Sequence, residues 1–308
     1  MCYYKAIKRG AEIQMRSENE MFELFLNIAD SDDRIAALYM NGSRTNPNVP
    51  KDIFQDYDIV YVVSETQSFI SDKNWIEQFG EILYMQYPDE FPEEASSYEH
   101  DKDNFYGWLM QFKDGSRVDL HVESVEHARK HILDDSLCKV LLDKYNVLPE
   151  IPESSDKDYW VKKPDKEQFD CCCNEFWWCT NNLAKGLWRG EILYVHDMAD
   201  AVVRKQLDKM LCWKAGVRSD FCVSVGKSSK YLYKWLDGNE YRQYLDTFFA
   251  GDISGAWSAV LKMCDLFEKT ALFVAEELGY TYNRDEAAAA RGFLEHVKGL
   301  PENAEEIF

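Results

Sequence analysis

The sequence has no uncharged apolar run long enough to span a bilayer, so length alone excludes a transmembrane segment. Its first fourteen residues carry Lys5, Lys8 and Arg9 but no apolar stretch of the kind a secretory signal needs. Positive charge is scarce: 35 Lys and Arg face 55 Asp and Glu, a net charge of −20. A chain so acidic repels a nucleic-acid duplex or an anionic membrane, and no basic groove is evident to offset this. Neither is expected as a partner. Among nine cysteines there is no Cys-x-x-Cys pair, which leaves a structural zinc site without its usual ligands. An odd number that includes the consecutive Cys171, Cys172 and Cys173 is poor material for disulfides and points to a reducing, cytoplasmic setting. No internal repeat is visible.

What the chain does have is core-forming capacity. Of its 308 residues 46% are hydrophobic and 14% aromatic, enough for two globular domains. The two halves differ in pattern. Ser17 followed by Glu20 is a capping-box signature, and Met21, Leu24, Phe25 and Ile28 then recur at helical spacing. Short strand-like runs follow at Ile35–Met40, Asp58–Val63, Ile82–Gln86, Trp108–Phe112 and Val118–Val122, punctuated by Gly, Asn, Pro and Asp. This half reads as a small mixed sheet covered by helices. Pro149, Pro152 and the polar residues Glu153–Asp158 read as a linker. Beyond it, Asp165 to about Gly190, Met198–Ala215, Trp257–Leu278 and Glu286–Val297 read as helices. The expectation is α+β: a sheet-bearing domain over residues 1–150 and an all-α helical-bundle domain over 151–308.

Charge is uneven between these halves, −14 in residues 1–150 and −6 in the remainder. Asp89, Glu90, Glu93, Glu94, Glu99, Asp101 and Asp103 crowd one segment, either a solvated loop or a wall that attracts a polycation. His127 and His131, four apart on an expected helix, read as a solvated face, since nothing nearby completes a metal set.

The most informative stretch runs from Asn41-Gly42-Ser43-Arg44 to Gln55-Asp56-Tyr57-Asp58. A strand enters Gly-Ser, and a second strand opens with Asp-x-Asp. Side chains two apart on a strand share a face, so Asp56 and Asp58 converge. Two carboxylates that close repel unless a cation sits between them, and hard oxygens are what Mg²⁺ prefers. Gly42 lets the backbone approach a phosphate, whose oxygens Ser43 and Arg44 are placed to hold. A third acid, Asp119, lies between Val118 and Leu120, where an acid is costly unless it faces a site. Three strand-borne carboxylates suit phosphoryl or nucleotidyl transfer, with metal-holding and proton-accepting roles among them. Lys227 and Lys230, three apart after Gly226, are expected to open a helix and clamp a triphosphate.

These features resemble the nucleotidyltransferase superfamily of DNA polymerase β, and within it the aminoglycoside 6-adenylyltransferases, the streptomycin-modifying enzymes of Gram-positive bacteria. The phrases that carry the resemblance are Met40-Asn41-Gly42-Ser43-Arg44-Thr45-Asn46, Phe54-Gln55-Asp56-Tyr57-Asp58, Cys172-Cys173-Asn174-Glu175-Phe176-Trp177 and Lys185-Gly186-Leu187. They extend it from about Met15 to near residue 280. Residues 1–14 then read as an extension, and the tail after Tyr282 as divergent.

The resemblance implies ATP as donor, Mg²⁺ as cofactor, and transfer of AMP to a hydroxyl of streptomycin. It implies Asp56 and Asp58 as metal ligands, Asp119 beside them as general base assisted by Arg117, and Gly42, Ser43, Arg44, Lys227 and Lys230 around the phosphates. A guanidinium-bearing sugar would be held by carboxylates and an indole face. On the helix from Asp165 those are Asp170, Glu175 and Trp178, unless that face is a polar seam. The rival readings keep the site but change the acceptor to a lincosamide, a metabolite or a protein hydroxyl, or make the chain a non-enzymatic nucleotide-binding regulator.

Overall fold

The computed structural model describes residues 14–95 and 100–308, with Glu93 described by its backbone only. The chain divides into two compact units, Met1–Asp158 and Tyr159–Phe308.

In the first unit, helix α1 (Glu18–Ser31) starts on the expected capping box. The Ser17 hydroxyl accepts the Glu20 N–H, and the Glu20 carboxylate accepts the Ser17 N–H at 2.7 Å. The helix buries Met21, Phe25, Ile28 and Ala29 against the sheet. Six strands follow: β1 (Ile35–Asn41), β2 (Tyr57–Val63), β3 (Ile82–Gln86), β4 (Phe105–Phe112), β5 (Arg117–Ser124) and β6 (Cys138–Asp143). Short helices α2 (Gln67–Ser71) and α3 (Val125–His131) lie between them. The sheet order is β3-β4-β5-β2-β1-β6, and only the β2–β5 pair is parallel. The mixed sheet expected from the sequence is therefore present, with one more strand. β6 was not legible as a strand: it is an edge, half exposed and interrupted by Lys139, and its pairing with β1 is wholly non-local.

Strand periodicity separates two apolar layers. Tyr57, Ile59, Tyr61 and Val63 of β2 pack with α1 on one face, while Val60 and Val62 face α3 and join Ala37, Tyr39, Ala128, Ile132 and Leu148. Asp58 shares the parity of the second set. The expected linker is stitched to this unit: Ser136 exchanges hydrogen bonds with Ser155 at 3.0 and 2.6 Å, and its N–H donates to Asp158 at 3.0 Å.

In the second unit, helix α4 (Lys166–Trp188) begins on a capping box between Asp165 and Gln168. Its inward stripe, Phe169, Cys172, Cys173, Phe176, Trp177, Leu183 and Leu187, is the spine of the core. Helices α5 (Ile192–Met198), α6 (Arg204–Arg218), α7 (Gly238–Leu245), α8 (Ile253–Leu278) and α9 (Arg284–Gly299) complete the unit, with a π-helical turn, Ala199–Val203, joining α5 to α6. Phe176 stacks on Phe267 of α8, and the Trp177 indole N–H donates to the Tyr282 hydroxyl at 2.8 Å. Gly279, at φ 70°, closes α8. A buried ion pair, Lys214 with Glu240, pins α6 to α7, and Arg218 adds a second contact at 3.2 Å. The cysteines of the described residues are all free thiols, and no helix among those residues is long and apolar enough to cross a membrane.

Candidate active site

The site grows from the end of β1. Gly42 stands at φ 76°, ψ −159°, a conformation L side chains rarely adopt, and leads into a single 3₁₀ turn, Ser43–Thr45. A Cβ on Gly42 would lie 2.1 Å from Asp58 Oδ2 and 2.8 Å from its Cγ. Glycine is required there because the turn must lie directly against the carboxylate.

Arg44 is occupied otherwise than the sequence suggested. Its guanidinium donates to the carbonyls of Gln55 at 2.7 Å and Asp56 at 2.9 Å, and lies 3.6 Å from the Tyr57 ring centroid. Its side chain is 7% exposed. Arg44 thus ties the end of the loop to the Gly-Ser turn and fixes the backbone from which Asp56 projects.

The second strand begins at Tyr57, so Asp56 sits one residue ahead of it. The parallel register places Asp58 opposite Asp119. Adjacent strands lie about 4.8 Å apart, so same-face partners become neighbours. The result is a cluster in which one carboxylate oxygen each of Asp56, Asp58 and Asp119 lies within 4.8 Å of the others. Burial first, and then the charges of Asp56 and Asp119, push the Asp58 carboxyl up to about 7, while Arg117 opposes the rise. Arg117, on the same face of β5 as Asp119, donates to both of its oxygens, Nε at 2.8 Å and Nη2 at 2.6 Å. Its Nε also lies 3.8 Å from Asp56 Oδ2.

Two residues next to these acids carry unpartnered amide oxygens. Asn41 Oδ1 and Gln55 Oε1 are buried without a hydrogen-bond partner, one in the register partner of Asp58 and the other beside Asp56. Three converging carboxylates, with a glycine that clears the approach to them, form a donor set suited to a hard divalent cation. The two amides went unassigned in the sequence; their positions beside Gly42 and Asp56 were the only signal.

The remaining candidates do not converge in the same way. Lys227 and Lys230 belong to the second unit. They flank one 3₁₀ turn in which Ser228 and Ser229 have φ of 54° and 58°, so the helix expected to start there does not form. Asp170 pairs with Lys166 on α4 and lines a cleft of about 660 Å³ with Asn174, Arg284 and Glu286. Glu175 lines a different cleft of about 810 Å³ with Lys162, Glu167, Lys209 and Trp213. Trp178 is 68% exposed and lines neither. The two adjacent stripes of α4 that carry Asp170 and Glu175 thus line different clefts, with Asn174 in both.

The acidic wall also resolves differently. Asp89 is 2% exposed and accepts the Gly107 N–H at 2.8 Å, while Glu90 accepts from Tyr106 at 3.0 Å and pairs with Lys102 at 2.9 Å. Both hold the segment to β4, Asp89 from the interior and Glu90 from the exposed surface. Glu94, Asp101 and Asp103 are exposed; Glu99 and the side chain of Glu93 lie outside the described residues. His127 and His131 stack at 4.3 Å, each bonded to an acid of its own, Glu123 and Asp134.

A Gly-Ser turn against Asp58 and Asp119 on adjacent strands, with Asp56 one residue ahead of the first strand, is the arrangement of a nucleotidyltransferase. The sequence model of the streptomycin adenylyltransferase family matches residues 15–297. The chain is 36% identical over 272 residues to the aminoglycoside 6-adenylyltransferase of Bacillus subtilis (strain 168), covering 87% of this chain and 93% of that protein. It is 36% identical over 271 residues to the aminoglycoside 6-adenylyltransferase of Campylobacter jejuni, covering 87% and 91%. A crystal structure of an aminoglycoside 6-adenyltransferase from Bacillus subtilis aligns with 93% of this chain and 100% of its own at 30% identity, with a TM-score of 0.46. The chain belongs to the streptomycin adenylyltransferase family. The match runs through most of α9, so the segment after Tyr282, read as divergent, falls within the family's extent up to residue 297.

Proposed function

We propose that this chain transfers AMP from Mg·ATP to a hydroxyl of an aminoglycoside, streptomycin in particular, and releases pyrophosphate. The observation that carries the chemistry is the convergence of Asp56, Asp58 and Asp119 within 4.8 Å beside the Gly42 turn. The family and the names of the relatives support the acceptor class.

Asp56 and Asp58 are the residues that would hold magnesium, with Asp119 beside them. Bound there, the ion would supply Lewis-acid stabilisation of charge on the phosphate oxygens. Gly42 brings the main chain close enough for the nucleotide phosphates, and Ser43 presents its hydroxyl from the same turn. Arg44 acts through the loop it anchors. The Asp119 carboxylate accepts the proton of the acceptor hydroxyl, whose oxygen bonds to the α-phosphorus as the bond to the pyrophosphate oxygen breaks. In the second unit, Glu175 and Asp170 are the carboxylates offered to guanidinium groups, and Lys227 and Lys230 the cations offered to the triphosphate.

The test is pyrophosphate release from Mg·ATP with streptomycin, beside kanamycin, spectinomycin and lincomycin, and with Asp119→Asn in parallel. Turnover with streptomycin that vanishes in the variant is expected. Absence of turnover with all four, in a protein that binds Mg·ATP, would overturn the acceptor assignment.

A further inference from the structure

The acid cluster already contains a cation. The Arg117 guanidinium occupies both oxygens of Asp119 and reaches to 3.8 Å from Asp56, while its own side chain remains 47% exposed. Same-face spacing on β5 and the β2–β5 register put it there, so its position is set by the sheet. An arginine cannot shed its charge at any physiological pH, so it leaves an acid only by moving.

We propose that Arg117 is a built-in placeholder for the divalent cation: it neutralises Asp119 and Asp56 in the metal-free protein, competes with the metal for them, and swings off Asp119 when the metal enters. The inference rests on the reading of the three acids as a metal site.

Several observations support it. Both Asp119 oxygens are engaged in a fork, so an incoming cation must share the carboxylate with the guanidinium and meets its positive charge there. The side chain has solvent beside it, and leaving requires no repacking of the core. The site is also short of compensating charge, with three carboxylates facing this one guanidinium among the described residues. Arg117 therefore sets how readily the cation binds, and it orients Asp119 until the cation arrives. It is a positioning residue that acts through Asp119.

The direction of the effect separates this role from a structural one. A residue that merely supported the site would weaken metal binding when removed, whereas a competitor strengthens it. Arg117→Ala should bind Mn²⁺ about tenfold more tightly than the natural protein, the order expected from removing one unit charge near a divalent ion in a half-exposed site. Arg117→Lys keeps the charge but loses the fork, and should fall between the two.

The experiment is titration of the full chain with Mn²⁺, free ion being read by electron paramagnetic resonance, for the natural protein, both Arg117 variants and Asp56→Asn. Melting temperatures are recorded with and without the ion. Tighter binding by Arg117→Ala, with a larger Mn²⁺-induced rise in melting temperature, is the expected result. Equal or weaker binding by a folded Arg117→Ala overturns the placeholder role and leaves the metal site standing. Binding by the natural protein no stronger than by Asp56→Asn overturns the metal site itself, and the placeholder with it.

Discussion

Replacing Asp58 by Asn should make the metal-free protein more stable while removing its activity. The Asp58 carboxyl is pushed up to about 7 by burial and by its two acidic neighbours. In the unfolded chain an aspartate titrates at about 3.9. Between these values the folded protein retains a proton that the unfolded chain has lost, so stability falls as pH rises through the window and levels off above it. The full cost of an ionised Asp58, at about 1.4 kcal/mol for each of about three pH units, is about 4 kcal/mol. Water at the rim screens part of this, which leaves about 2 kcal/mol as the gain to look for. Asparagine keeps the shape and cannot ionise. The assay is urea unfolding in a chelating buffer at pH 4.5 and pH 8. The variant's advantage should be small at pH 4.5 and reach about 2 kcal/mol at pH 8. Magnesium in millimolar amounts should narrow the gap, since it stabilises the natural protein more. An advantage that does not grow with pH, or a loss of stability at pH 8, would refute the reasoning.

Gly42→Ala places a Cβ on the Asp58 carboxylate at a positive φ, and should abolish measurable turnover and lower stability by about 1–3 kcal/mol, read from the urea midpoint. Arg44→Lys keeps a charge but loses the paired bonds to the Gln55 and Asp56 carbonyls; kcat/KM should fall about tenfold or more, with a far smaller change in melting temperature. Asp114, held at about 2 by hydrogen bonds from Arg16 and Ser116 that outweigh the opposing effect of burial, stabilises the fold above about pH 4 and loses that contribution as pH falls toward 2. Asp114→Asn should therefore cost about 2 kcal/mol at pH 7, a deficit that fades in acid when unfolding is followed by circular dichroism. Glu240→Gln leaves the buried Lys214 ammonium without its counter-charge and should cost about 3 kcal/mol or more by the same measurement.

Much of the first unit was legible because its signals are local. The Ser17–Glu20 box, the strand runs and the Gly-Ser turn each depend on a few adjacent residues, whereas Asp56 stands one residue ahead of the strand that carries Asp58, its backbone held by Arg44. The association of Asp119 with them required the β2–β5 register, which no local pattern contains. The anchoring of the loop by Arg44 was not legible because its partners are the backbone carbonyls of Gln55 and Asp56, invisible in a list of side chains. Gly226-Lys227-Ser228-Ser229 has the composition of a helix start, yet two consecutive serines at positive φ turn the chain away. On α4, periodicity puts Asp170 and Glu175 on adjacent stripes, but which cleft each lines is decided by α9 and α6, the helices that flank them.

One comparison within the sheet shows why the three acids mark a site. Four residues along the register from Asp58 and Asp119, on the same face, lies the pair Val62 and Glu123. Glu123 is 2% exposed, as buried an acid as the fold contains, and it is fully provided for: the Tyr39 hydroxyl donates to one oxygen and the His127 ring faces the other. The fold can therefore satisfy an acid on this face when the acid is structural. At the mouth of the same face it instead gathers three carboxylates around one half-exposed guanidinium. Concentrated, under-compensated charge is costly to the folded state, and a fold bears that cost where something arriving from outside relieves it. The contrast between Glu123 and the Asp56–Asp58–Asp119 cluster is thus a functional signal independent of any motif.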